Sequence, residues 1–392
     1  MIKSLRLTNF KGFREATVLL GPLTLLVGTN ASGKSNVREA LQFLHGCSLG
    51  YSLTEIIGEK WGHGGVLLWR GPRGGVQEIV YQGETLFLLE ATFDEGSYSI
   101  GVRVEHDGKV LPRVESERIN GRSIIFRDIL ARDRPALPRL IEEPPLYQAG
   151  WDRLDAAESI GVTLEGMRFL DLVPRVMREA SLPGQVLGDQ GENLSSALLE
   201  IVEDPQRKEA ILDWLRALTP MDVQDLRFKE DLQRRVLVYL VESSGLEVSA
   251  YSASDGTLRF LALIAALLSS QDGSFFFFEE IDNGIHPTRL HVLLDVLEQA
   301  SRQMGHQIVA TTHNPQLVAF LSEKARQDAV LLYRREQSQS ADAVRIMELP
   351  DIERILEKQD LGRLFASGWL EDAVECLADE EEEPKAISAS GN

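Results

Sequence analysis

The residues 28–35, Gly28-Thr29-Asn30-Ala31-Ser32-Gly33-Lys34-Ser35, carry the most specific chemistry in this sequence. Glycines around a short polar run let successive backbone N–H groups turn inward on an anion. A lysine just after them reaches the outer phosphates of a nucleoside triphosphate, and the following serine hydroxyl is a ligand for Mg²⁺. The spacing matches the phosphate-binding loop pattern without a gap. An apolar run at 23–27 precedes the loop, and Val37, Ala40, Leu41 and Leu44 fall on one helical face after it. Strand, loop and helix thus follow in the order a phosphate cradle requires. Asn30, Gly33, Lys34, Ser35 and Asn36 are the expected ATP contacts, with Lys34 also catalytic and Ser35 on the metal.

A second group sits far downstream, where Phe275-Phe276-Phe277-Phe278 runs into Glu279-Glu280. An apolar strand that delivers two acids to its C-terminal end places them where open α/β sheets bind ligands. Two acids after a strand, taken alone, read as a solvated strand end. With a phosphate loop upstream, Glu279 is expected on Mg²⁺ and Glu280 as the base that orients and deprotonates water. Ser252-Ala253-Ser254-Asp255-Gly256-Thr257 is a short polar loop before a very apolar helix. Its plain reading is a Ser/Asp cap on a core helix. The same loop can also present Ser254, the Gly256 N–H and a helix dipole to a γ-phosphate.

At these residues the sequence resembles the ABC-type ATPases of the RecF, SMC and OLD group, an AAA_21-like set of AAA family ATPases. The opening Ile2-Lys3-Ser4-Leu5-Arg6-Leu7-Thr8-Asn9-Phe10-Lys11-Gly12-Phe13 is similar to that group's first strand and turn, and residues 252–257 resemble its signature motif. Residues 282–287 are similar to its D-loop, and Thr311-Thr312-His313-Asn314-Pro315 to its switch-histidine segment. The resemblance implies that ATP joins two copies head to tail, with Ser254 and Gly256 of one chain closing the Lys34 site of the other. It implies His313 as the γ-phosphate sensor and Lys11, Phe13 and Arg14 near the base or phosphates, while His286 caps or packs locally. Relatives often have Asp where this chain has Glu279, and Gln77 and Gln82 are the nearest candidates for the glutamine of the metal shell. No heptad stretch supports a coiled-coil arm. The resemblance covers roughly residues 1–105 and 220–350.

The expected fold is α/β: an ABC-type P-loop NTPase with a central mainly parallel sheet, an antiparallel β subdomain and a helical insertion. Strand patterns at 2–10, 16–20, 23–27, 79–81, 86–93 and 98–104 form an N-terminal lobe, residues 1–105. Residues 106–220, with Pro144-Pro145 and helical segments at 194–202 and 210–218, form a mainly helical insertion. Residues 221–350 form the second lobe, with strands at 223–228, 235–242, 246–251, 275–278 and 308–312 and helices at 258–268 and 289–303. A helical segment at 351–377 and an acidic disordered tail at 378–392 complete the chain.

At 392 residues, with 43% hydrophobic and 26% charged, the chain has the composition of a globular protein. No apolar run is long enough to span a membrane, so a cytoplasmic protein with no membrane partner is expected. The two cysteines, Cys47 and Cys376, have no metal-ligand spacing. A net charge of −19 disfavours nucleic acid over most of the surface, so DNA would need a local patch such as Arg127, Arg132, Arg134 and Arg139, diluted by Asp128 and Asp133. Three outputs are consistent with this: the regulatory ATPase of an anti-phage or toxin-type defence system with a separate nuclease or toxin, a RecF-like ATPase that binds DNA directly, and a transporter subunit, which the opening segment disfavours. No nuclease signature follows His313.

Overall fold

The computed structural model describes residues 1–104, 111–124, 132–142, 151–184, 187–219, 221–334 and 340–382. The fold is α/β, and the chain divides into two compact units, Met1–Met167 with Arg326–Asn392, and Arg168–Ala325.

The first unit is built on an antiparallel sheet, ordered Phe13–Leu19, Ile2–Phe10, Leu86–Phe93, Gly96–Val104, Pro112–Ile119, Arg122–Ser123. Its strand Ile2–Phe10 puts Ile2, Leu5, Leu7 and Phe10 fully inside while Lys3 and Arg6 face out, with the two-residue alternation shifted by the irregularity between Ile2 and Ser4 and by the positive φ of 51° at Asn9. The strand Leu23–Val27, buried at every position, runs parallel to Val330–Arg334, which pairs antiparallel with Ala341–Arg345. A strand buried on both faces cannot alternate, which is why 23–27 reads as a continuous apolar run. The helix Lys34–Ser48 buries Val37, Ala40, Leu41, Phe43 and Leu44. Its Phe43 meets Phe87 edge-on at 5.4 Å, and Phe10 meets the same ring at 5.4 Å, so one aromatic cluster ties the loop-bearing helix to the antiparallel sheet.

Glu117 is a fully buried acid of this unit, 1% exposed. Its carboxylate accepts from Tyr98 Oη at 2.8 Å, Ala136 N at 2.7 Å and Leu137 N at 3.0 Å, and so fixes the start of the helix Leu137–Glu142. Burial pushes its pKa up to about 7, against the pull of those three donors. A carboxyl whose folded pKa is raised contributes stability that is complete below the unfolded value and is lost as pH rises through the folded one. Wild type should therefore lose its advantage over Glu117→Gln between about pH 4.5 and 7, by roughly 1.4 kcal/mol per unit at most. Calorimetric unfolding of both proteins at pH 5 and pH 8 measures this difference directly.

The second unit holds the parallel pair Phe275–Phe278 and Gln307–Thr312, in register from Phe275 opposite Gln307 to Phe278 opposite Ala310, with the helix Leu290–Gln303 crossing between them. Helix Asp255–Ser269 is its hub, buried at almost every residue from Thr257 to Leu268, and the helices Leu194–Ile201 and Pro205–Leu218 pack on it. A helix apolar all round must be central. An antiparallel sheet, Val223–Glu230, Val236–Glu242 and Glu247–Ser249, completes the unit.

Several boundaries differ from the sequence reading. Residues 106–220 do not form one insertion, because Pro112–Ile119 and Arg122–Ser123 extend the first unit's sheet and the unit boundary falls at Met167. The polar residues of Pro112–Ile119 hide the pattern, since Glu117 occupies an inward position that an apolar residue would normally fill. Residues 326–345 belong with the N-terminal segment, since Val330–Arg334 pairs with Leu23–Val27. The expected strand at 79–81 reduces to a single bridge of Val80 to Phe10, directly after a helical turn at Gly75–Glu78. The helix Trp369–Glu382 runs into the acidic segment expected to be tail, while Pro144, Pro145 and residues 383–392 lie outside the described residues. Among the described residues no helix is long and apolar enough to cross a membrane.

Candidate nucleotide site

In the first unit the loop 28–33 leaves a fully buried strand and enters the helix Lys34–Ser48 at Gly33, whose φ of 109° suits glycine. That helix start has no side-chain cap and no acidic residue in its first turn, so its dipole is unopposed. A Cβ on Gly28 would lie 2.3 Å from the Leu332 carbonyl oxygen, and one on Gly33 2.7 Å from the Phe13 ring, so both glycines are required by close approach. Ser32 is 2% exposed, and its hydroxyl has no hydrogen-bond partner among the described residues. An orphaned donor beside an uncapped helix start fits a bound phosphate. Lys34 Nζ donates to the loop's own carbonyls, Gly28 O at 2.5 Å and Thr29 O at 2.7 Å, which holds the ammonium at the mouth of the loop. Asn30 is exposed, and Ser35 and Asn36 are half-buried on the same first turn.

A cleft of about 560 Å³ adjoins this turn, lined among others by Lys11, Asn36, Gln77, Tyr81, Gln82 and Arg334. Both glutamines proposed for the metal shell therefore face the same cleft. Lys11 Nζ is ion-paired with Glu39 at 2.5 Å and donates to Arg73 O at 2.8 Å. Phe13, expected near the base or phosphates, is instead a fully buried core residue beneath Gly33, paired with buried Phe10 across the turn that joins the first two strands. Arg14 is exposed.

The second unit carries the two acids and the histidine. Glu279 follows the buried strand Phe275–Phe278, and its N–H donates to Leu170 O at 3.2 Å. Glu280 has a φ of 45°, a costly region for a residue with a Cβ. That geometry is held by Thr311, whose Oγ1 accepts from Glu280 N at 2.9 Å and whose carbonyl accepts from Ile281 N at 3.2 Å. Asn283 Nδ2 donates to Glu280 Oε2 at 3.1 Å, fixing one carboxylate oxygen. His313 is exposed at the end of the strand Gln307–Thr312. On either side of it the chain is anchored: Thr312 Oγ1 donates to buried Asp282 at 2.7 Å, and Asn314 caps the helix Pro315–Ala319. His286 accepts from Thr288 N at 3.3 Å and caps the turn Pro287–Arg289, the local role expected of it.

Ser254 is the N-cap of helix Asp255–Ser269, accepting from Thr257 N at 3.1 Å, and remains exposed. Gly256 is required because a Cβ there would sit 2.1 Å from the Gly284 carbonyl oxygen. The segment 282–284 is thus packed directly on the 252–257 loop, and Arg259 Nη1 adds a bond to Asn283 O at 3.2 Å. Gly256→Ala should force these two segments apart and destabilise the chain by about 1–3 kcal/mol, read as a lower unfolding midpoint in urea. Arg178, which no sequence signal marked, donates to this loop at Ala253 O and Asp255 Oδ1 and to Tyr251 O just before it. Among the described residues no group of three or more His, Cys, Asp or Glu is placed to hold a metal ion. A Mg²⁺ site of one hydroxyl, one carboxylate, phosphate and water needs no such group. Arg132, Arg134 and Arg139 are exposed, with Arg134 Nη1 on Gly50 O at 2.9 Å, while Arg127 and Asp128 lie outside the described residues.

Comparison with known proteins identifies the family and the fold. Residues 23–319 match the AAA_21 family model, described as "AAA domain, putative AbiEii toxin, Type IV TA system". The DNA replication and repair protein RecF of Chlamydia caviae is 33% identical over 111 residues, 28% of this chain and 24% of the relative, so the match spans about a quarter of RecF. An ATP/GTP phosphatase of Helicobacter pylori is 21% identical over 350 residues, covering 83% of this chain and 89% of that protein. Among solved structures, an SMC head bound to the C-winged helix domain of ScpA superposes with a TM-score of 0.52 at 15% identity, over 88% of this chain and 97% of the other. An SMC head with an extended coiled coil, bound to the C-terminal domain of ScpA from Pyrococcus furiosus, gives 0.51 at 15%, over 91% and 98%. These structures share the fold. The family model spans well over half of the sequence, and the chain belongs to the AAA_21 family, on the ABC-type P-loop fold of the RecF and SMC group.

Proposed function

We propose that this protein binds ATP with Mg²⁺ in the cytoplasm and hydrolyses it in sites completed by a second copy. The observation that carries the reading is the start of helix Lys34–Ser48, with its uncapped N-terminus, its orphaned Ser32 hydroxyl and its two space-forced glycines. The printed names of the relatives, an ATP/GTP phosphatase and RecF, support it. In this reading Asn30, Gly33, Lys34, Ser35 and Asn36 hold the nucleotide, and Lys34 leaves its loop carbonyls for the outer phosphates. Ser35 and Glu279 would hold Mg²⁺, which would supply neutralisation of phosphate charge. Glu280, with one oxygen already fixed by Asn283, accepts the proton of the attacking water on the other. His313 hydrogen-bonds the γ-phosphate, and Ser254 and Gly256 of the partner copy close over it.

For the output we favour a regulatory ATPase that controls a separate nuclease or toxin in a defence system, because the family description names a toxin and a Type IV TA system. The RecF match favours a second reading, direct DNA binding in repair or chromosome maintenance. Tagged Glu280→Gln protein, trapped with ATP in its native host and analysed by mass spectrometry, separates them. A stoichiometric nuclease or toxin is expected. Recovery of DNA with repair proteins, with binding that weakens steeply with salt, would replace the first reading by the second.

A further inference from the structure

Arg178 follows the short helix Pro174–Met177 and is three-quarters buried at its side chain, with 25% exposure. Its guanidinium makes four hydrogen bonds: Nη1 to Pro174 O at 3.1 Å, Nε to Tyr251 O at 3.3 Å, Nη2 to Ala253 O at 2.8 Å, and Nη2 to Asp255 Oδ1 at 2.7 Å. Three of these acceptors bracket Ser254. From the other side Ser249 O accepts from Ser252 N at 2.9 Å and Ala253 N at 3.0 Å. The carbonyl oxygens of Ala253 in the loop and Tyr251 just before it are thus turned onto a cation, and the carboxylate beside Ser254 is paired. Negative groups next to Ser254 would otherwise oppose an incoming phosphate. Only a planar fork with this many donors can hold two carbonyls and a carboxylate of residues 251–255 together with a fourth oxygen at Pro174, and lysine has no such geometry.

We propose that Arg178 is the positioning residue that makes the 252–257 loop receptive to a phosphate, by holding the Tyr251 and Ala253 carbonyl oxygens inward and neutralising Asp255. The inference rests on the shared-site reading above. Arg178→Ala should keep the nucleotide affinity of the chain's own P-loop within about twofold and lose ATP turnover by at least about tenfold, as expected for losing charge-assisted bonds. Arg178→Lys should recover only part of the loss. Mixing Arg178→Ala with Lys34→Ala protein should restore turnover, because one composite site then joins an intact P-loop to an intact loop. Misfolded protein would not complement. Adding Asp255→Asn to Arg178→Ala should recover part of the lost rate, since the unpaired carboxylate is removed.

The control mixture is Ser254→Arg with Lys34→Ala. If it complements and the Arg178→Ala mixture does not, the role assigned to Arg178 is wrong. If neither mixture complements, the shared site itself fails, and the proposal with it. Wild-type turnover by Arg178→Ala alone, or a double variant no faster than the single one, would also overturn it.

Discussion

Glu280→Gln is expected to bind ATP as tightly as wild type and to hydrolyse it about 10²–10⁴-fold more slowly, the range for removing a general base. The substitution is nearly isosteric, and the environment of residue 280 supports its replacement. Its backbone bonds to Thr311 are untouched, and the amide oxygen can take the bond from Asn283 that Oε2 now accepts. The positive φ at this position is therefore retained. The measurement is phosphate release at saturating ATP beside equilibrium binding of a fluorescent ATP analogue. A variant that hydrolyses at the wild-type rate would remove Glu280 from the chemistry. A variant that no longer binds would place it in the nucleotide cradle instead. Lys34→Ala is the matched control, expected to lose binding itself because the ammonium is the cradle's mobile charge.

Ser254→Arg should bind ATP normally yet neither dimerise with it nor turn it over. Ser254 is exposed, so a larger side chain fits the isolated chain, but it would fill the space that a partner's phosphate requires in the shared-site reading. The loss of the N-cap bond to Thr257 N costs about 1 kcal/mol, too little to unfold a domain of this size. Ser254→Thr keeps both hydroxyl and cap and should behave as wild type, which separates capping from closure. Light scattering with and without ATP, in the Glu280→Gln background that stalls hydrolysis, reads the outcome. An ATP-dependent dimer that survives Ser254→Arg would place the second copy elsewhere.

The legible part of this protein is the part where local physics leaves few options. A phosphate loop needs its glycines, lysine and serine in one stretch, so residues 28–35 announced the cradle. The buried strand before them announced its own burial by its uninterrupted apolar run. The acids at 279 and 280 read correctly as the end of a strand because four phenylalanines in a row admit no solvated face. The helix after Ser254 was equally plain, apolar on every side and so destined for a core.

What sequence could not give depends on residues brought together from afar. Phe13 is a candidate for base or phosphate contact by resemblance, but its pairing with Phe10 across the first turn puts it under Gly33. Pro112–Ile119 was masked by Glu117, whose inward position is tolerable only because Tyr98, Ala136 and Leu137 supply three donors from other segments. Arg178 carries no motif at all, and its importance comes from carbonyl oxygens more than seventy residues away. By itself the sequence determined the cradle, the acids and the fold class, since these rest on contiguous residues and on the periods of helix and strand. Only the tertiary structure decided how the chain divides into units, which polar groups are buried and satisfied, and what holds the 252–257 loop, because a backbone carbonyl carries no trace in the sequence of which side chain will reach it.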